Sequence, residues 1–176
     1  MKKSIFILVM TAVLISCNTA VKQDAAPKTI GYEIQGDGTK TPLYVGDMSN
    51  LAIWETYIKA HNERDLETIK SLNAEKGFKA YAPNGQVIEG TEAHIEFLTN
   101  WFADADPKWK MGYLIENEFT NNKGELRQYV TSGHQLTLTV DGKEVKLGQV
   151  HDALISNGKV QMFYVTERVL AADEIK

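Results

Sequence analysis

Four histidines, His61, His94, His134 and His151, are the side chains of this chain most able to move a proton near neutral pH, because an imidazole ordinarily titrates at about 6.5. Two of them fall in runs whose pairing is set by a single turn. Asp141-Gly142 is a two-residue hairpin turn. Val140 should then face Lys143, Leu138 face Val145, Leu136 face Leu147, His134 face Gln149, and Ser132 face His151. One face of this ladder is apolar beside the turn and becomes Ser, His and Gln farther along. The other carries Thr137, Thr139, Glu144 and Lys146 and reads as solvent-facing. His134, Gln149 and His151 are therefore the polar groups expected in an otherwise aliphatic and aromatic pocket, which is how small-molecule sites are built.

An imidazole in such a pocket could serve as general base or acid. The alternative is structural: His134 and Gln149 bond across the strands, and His151 bonds a neighbouring hydroxyl. His134 and His151 lack a third Cys or acidic ligand placed beside them, so no metal and no cofactor is expected. His61 sits at a helix break, where it either points inward or caps. His94 lies between Glu92 and Glu96 and is expected on the solvated surface. Trp54, Trp101 and Phe102 fall on helix faces turned to the sheet, which suits core as well as a binding wall.

The elements that must position these groups follow from the apolar spacing. Leu51, Trp54, Tyr57, Ile58 and His61 recur every three or four residues, giving one helix face opened by Ser49 or Asn50 as cap. His61-Asn62-Glu63-Arg64 breaks it. Asp65 caps a second helix with Leu66, Ile69 and Leu72, which Gly77 should end. Pro83-Asn84-Gly85 joins two short strands, 78–82 and 86–89, and Gly90-Thr91 opens a third helix with Ile95, Leu98 and Phe102 on one side. Four strand-like runs follow, 110–119, 125–140, 143–155 and 159–169. Residues 30–48 hold Tyr32, Ile34, Leu43, Tyr44 and Val45, which either make an N-terminal strand or pack on the domain. Helices first and a long meander last predict an α+β fold with three N-terminal helices on a curved antiparallel sheet.

The chain opens Met1-Lys2-Lys3-Ser4, runs without charge from Ile5 to Ile15, and reaches Ser16-Cys17. A basic start, a short apolar run and a small residue before the cut are the parts of a secretory signal, and the run is too short to span a bilayer, which needs about 20 residues. Leu14-Ile15-Ser16-Cys17 resembles the lipobox of bacterial lipoproteins. That resemblance implies cleavage after residue 16, lipidation of Cys17 and an envelope-anchored domain. Asn18, where Asp would retain the protein at the inner membrane, points by the same resemblance to the outer membrane. Residues 18–29 are small and polar and read as a tether; residues 171–176 read as a tail. Cys17 is the only cysteine, so the domain stands on its core without an internal disulfide. The formal net charge is −4, and loss of Lys2 and Lys3 with the signal makes it more negative. That argues against nucleic acid, and against any hold on the membrane other than the lipid anchor.

The order helix, helix, hairpin, helix, meander resembles the nuclear transport factor 2-like superfamily, in particular its SnoaL-like and ketosteroid-isomerase-like members, over residues 49–170. Three stretches carry the resemblance. Tyr57-Ile58-Lys59-Ala60-His61-Asn62-Glu63-Arg64-Asp65-Leu66 is similar to the family's helix break. Gly90-Thr91-Glu92-Ala93-His94-Ile95-Glu96-Phe97 is similar to its third helix, and Gly158-Lys159-Val160 to the turn before its last strand. The resemblance implies a cone with an apolar pocket at its wide end, and leaves function open. Isomerase chemistry needs a tyrosine donor, a carboxylate base and a neutral carboxylic acid. Tyr57 matches the tyrosine, but Tyr81 or Ala82 stands at the base position and His151 at that of the acid, so steroid isomerisation is not carried over.

Three function classes follow. The leading one is a lipid-anchored protein whose cone binds a small, largely apolar molecule through Trp54, Tyr57, Leu98, His134, Leu136, Gln149, His151 and Phe163. The second is a SnoaL-like enzyme moving protons with Tyr57, His134 and His151. The third is a non-catalytic interaction module, a homodimer, holding a partner on its outer sheet face. A pocket plugged by Trp54, Trp101 and Phe163 would favour the third.

Overall fold

The computed structural model describes residues 28–175, so the signal, Cys17 and most of the tether lie outside the described residues. Two strands come first, β1 (Thr29–Ile34) and β2 (Lys40–Tyr44), then α1 (Ser49–Glu63) and α2 (Leu66–Leu72). A small hairpin, β3 (Lys79–Tyr81) and β4 (Val87–Glu89), precedes α3 (Thr91–Ala105). The meander is β5 (Lys108–Thr120), β6 (Leu126–Val140), β7 (Lys143–Ser156) and β8 (Lys159–Val169). Among the described residues, eight strands form one sheet in the order β1-β2-β5-β6-β7-β8-β3-β4. Every pairing is antiparallel except β3 with β8.

The fold is the expected α+β arrangement with a larger sheet. Residues 30–48 do more than pack on the domain: Tyr32 pairs with Pro42 in a complete hairpin, and Tyr44 joins it to Glu118 of β5. The register expected from the turn, Val140↔Lys143 to Ser132↔His151, is present pair for pair, because a two-residue turn leaves the ladder no freedom to slip. A bulge between Met111 and Tyr113 in β5 adds local bend and twist, helping to curve the sheet around the helices.

Two expected helix ends move. The first turn of α1 is served by Asp47, whose Oδ1 accepts from Ser49 N at 2.9 Å, while Asn50 is buried and donates to Glu116 Oε1 at 3.1 Å. Asp65 does cap α2, accepting from Thr68 N at 3.0 Å. That helix stops at Leu72, well before Gly77, because the chain turns extended at Asn73 and pairs with β8: Asn73 bridges Val160, and Ala74 N donates to Val160 O at 2.9 Å. Gly77 instead takes φ +74° in the following turn.

The core lies between the concave sheet face and the helices. Trp54, Tyr57 and Ile58 of α1, Ile69 of α2 and Leu98 of α3 pack over Val130, Leu136, Ala153 and Phe163 of the sheet. Arg64 pins the end of α1 to the start of β5: its guanidinium donates to Asp106 Oδ1 and Pro107 O and lies over the Phe102 ring.

Candidate functional site

A cavity of about 400 Å³ opens between the helices and the inner sheet face. From α1 it is walled by Trp54, Tyr57, Ile58 and His61, and from α3 by His94, Leu98 and Trp101. The sheet contributes Trp109, Leu138, Gln149, His151, Phe163 and Val165, and the mouth is edged by the exposed Asn84, Gln86 and Glu167. All three tryptophans of the chain stand in this wall. The cavity is open, so Trp54, Trp101 and Phe163 line it without plugging it.

Of the wall residues expected from the sequence, Trp54, Tyr57, Leu98, Gln149, His151 and Phe163 border this space. His134 and Leu136 point inward but are buried below it. The reason is a polar layer under the floor. Trp54 Nε1 donates to Ser132 Oγ at 2.8 Å, and that hydroxyl is 2.7 Å from His134 Nε2. The His134 ring lies 4.4 Å from that of His151. His151 Nε2 and Trp109 Nε1 both donate to Gln149 Oε1, each at 2.9 Å, while Gln149 Nε2 donates to Glu167 at 2.8 Å. Gln149 is therefore fixed by three partners, and His134 is held along its own strand by Ser132, not across to Gln149. Burial lowers His134 to about 4 and holds His151 well below the ordinary imidazole value, with His134 and His61 adding repulsion against a charge on His151.

A second polar cluster lies between α1, α2 and α3, and sequence reasoning missed most of it. Tyr57 donates its hydroxyl proton to Asn73 Oδ1 at 2.6 Å, and Asn73 Nδ2 lies 3.3 Å from His94 Nδ1. An amide nitrogen can only donate, so His94 Nδ1 accepts and the ring proton sits on Nε2. His61 is the reverse case. Its Nδ1 lies 2.7 Å from the Tyr57 carbonyl, which can only accept, so Nδ1 carries the proton and Nε2 is a bare lone pair. The two rings are 5.9 Å apart, and both line the cavity.

His94 is thus not on the solvated surface: it is 2% exposed, with Phe78 against one side at 5.0 Å. The flanking Glu92 and Glu96 mislead, because they sit on the neighbouring, exposed stripe. The available signal was the spacing His94, Leu98, Trp101, which repeats on one helix face. Asn73 gives no comparable signal, since its role depends on where α2 stops. Burial lowers His61 to about 4 and His94 to about 3, so both are neutral at ordinary pH, and burial raises the Tyr57 phenol well above 10. Among the described residues no lysine or arginine lines the cavity. The arrangement can hold a neutral molecule, and it has nothing with which to balance an anion at depth.

No protein-family model matches the chain, and no curated protein matches it. Solved structures do. An epoxide hydrolase/cyclase-like enzyme with a role in pyran ring formation in the polyether salinomycin is 20% identical, with a TM-score of 0.57 over 69% of this chain and 92% of that one. A candidate SnoaL-like polyketide cyclase from Jannaschia is 16% identical, with a TM-score of 0.55 over 68% and 85%. The fold is nuclear transport factor 2-like. An NTF2-like protein of unknown function from Burkholderia pseudomallei, 19% identical over 72% of this chain and 94% of that one with a TM-score of 0.52, shares it. Identities this low carry the fold and leave the chemistry to the residues.

Proposed function

We propose that this is a lipid-anchored protein of the bacterial envelope whose NTF2-like cavity binds a small, uncharged, largely apolar molecule. The observation that carries the reading is the cavity itself: about 400 Å³, open, walled by tryptophan, phenylalanine and aliphatic side chains, with a few fixed polar groups converging at its depth. That is the composition of a ligand site, not of a packing defect. The anchor rests on the signal and the Cys17 motif at the N-terminus.

A second reading, an enzyme moving protons within this cavity, draws on the neutral imidazoles of His61, His94 and His151 in its wall. Among the described residues the buried His151 Nδ1 atom has no protein partner, and the Tyr57 proton is already given to Asn73. Both groups therefore serve binding and orientation more readily than turnover.

Native mass spectrometry of the protein purified without denaturant tests the reading. The expected result is a bound mass that dissociates on collisional activation and partitions into organic solvent. A bare polypeptide mass, together with failure to take up added apolar molecules, would overturn it.

A further inference from the structure

We infer that His61 and His94 form a donor–acceptor pair selecting a ligand that carries a hydroxyl group, an alcohol on an apolar ring skeleton. This rests on the cavity being a ligand site and names the chemistry that it selects.

The tautomers fix the pair. His61 Nδ1 is committed to the Tyr57 carbonyl at 2.7 Å, and His94 Nδ1 to the Asn73 amide at 3.3 Å. Asn73 cannot readily turn over, because Tyr57 donates to its Oδ1 at 2.6 Å and the side chain is 2% exposed. Each ring is left with Nε2, one as lone pair and one as N–H, and among the described residues neither has a protein hydrogen-bond partner. A hydroxyl oxygen meets both needs at once, giving its proton to His61 Nε2 and taking the proton of His94 Nε2. A ketone or ether satisfies His94 only. A carboxylate would meet the His61 lone pair with negative charge. Around the pair the wall is Phe97, Leu98, Trp101 and Trp109, which favours rings over flexible chains or sugars.

Borneol and camphor separate these cases, since they share one bicyclic skeleton and differ as secondary alcohol and ketone. All three tryptophans line the cavity, so titration can be followed by their fluorescence and by calorimetry on the full-length protein. The wild type should bind borneol about three- to tenfold tighter than camphor, the worth of one further hydrogen bond. In His61→Phe the preference for borneol over camphor should vanish. In His94→Phe camphor itself should weaken about three- to tenfold. Should either variant fail to fold, the wild-type comparison still decides. Equal binding of borneol and camphor by the wild type overturns the pair and leaves the cavity reading intact. Binding of neither overturns both.

Discussion

The Tyr57 hydroxyl lies 2.6 Å from Asn73 Oδ1, with Tyr57 fully shielded from solvent and Asn73 nearly so. One bond ties the middle of α1 to the residue where α2 gives way to the sheet, and through Asn73 Nδ2 it reaches His94 on α3. Tyr57→Phe leaves a buried acceptor unpaired, which should cost about 1–3 kcal/mol. At this chain length that is a melting midpoint lower by roughly 3–10 °C. An unchanged midpoint would show that Asn73 finds another donor.

Stability should fall as the solution is acidified below neutral. The unfolded histidines take up protons near pH 6.5, whereas His61 and His134 resist until about 4 and His94 until about 3. Between those values the unfolded chain binds more protons, so unfolding is favoured as pH drops. Glu116 and Asp152, raised by burial, act in the opposite sense but are fewer. Denaturant unfolding at pH 7.5 and pH 5.0 should differ by about 2 kcal/mol or more, with His94→Phe showing a smaller difference. A flat profile would mean that the imidazoles are wetter than their burial implies.

Two glycines should respond differently to the same methyl group. A Cβ on Gly46 would sit 2.1–2.7 Å from the Glu116 carboxylate, which is buried and held by Asn50. A Cβ on Gly133 would meet the Tyr113 ring at 2.2 Å, but Tyr113 is 47% exposed and can swing outward. Gly46→Ala should therefore destabilise by about 1–3 kcal/mol, and Gly133→Ala by less than about 1 kcal/mol. Paired thermal melts check the order, and a reversed order would contradict it.

The meander was legible because Asp141-Gly142 admits one register, and alternation then assigns each face; His134, Gln149 and His151 followed from that alone. The helices were legible from Trp54, Tyr57 and Leu98. What escaped was what spacing does not encode. Asn50 looks like a cap and is a buried partner of Glu116. Asn73 looks like mid-loop polarity and is the hinge of the Tyr57–His94 connection. His94 was hidden by its charged neighbours, and His134 shared the inward face but fell below the cavity floor, a matter of depth that alternation leaves undetermined. The N-terminal hairpin has too few residues for its pairing to be chosen over simple packing.

The anchor has its own test. Cys17→Ser removes the only thiol, so the variant should carry no acyl mass and should leave the membrane fraction or stay unprocessed, because stable anchoring takes more than one acyl chain. A variant still membrane-bound at the processed, acylated mass would contradict it.

Uptake of an apolar molecule by the cavity is the central expectation for this protein. Leu98 is 2% exposed and borders that space, so Leu98→Trp should fill part of it while α3 stays packed. Calorimetric titration of wild type and Leu98→Trp with borneol is the direct measurement. The prediction is saturable one-to-one binding by the wild type, weakened at least about tenfold in a variant that still melts cooperatively. Equal binding by both proteins would place the ligand elsewhere, and no binding by the wild type would contradict the reading outright.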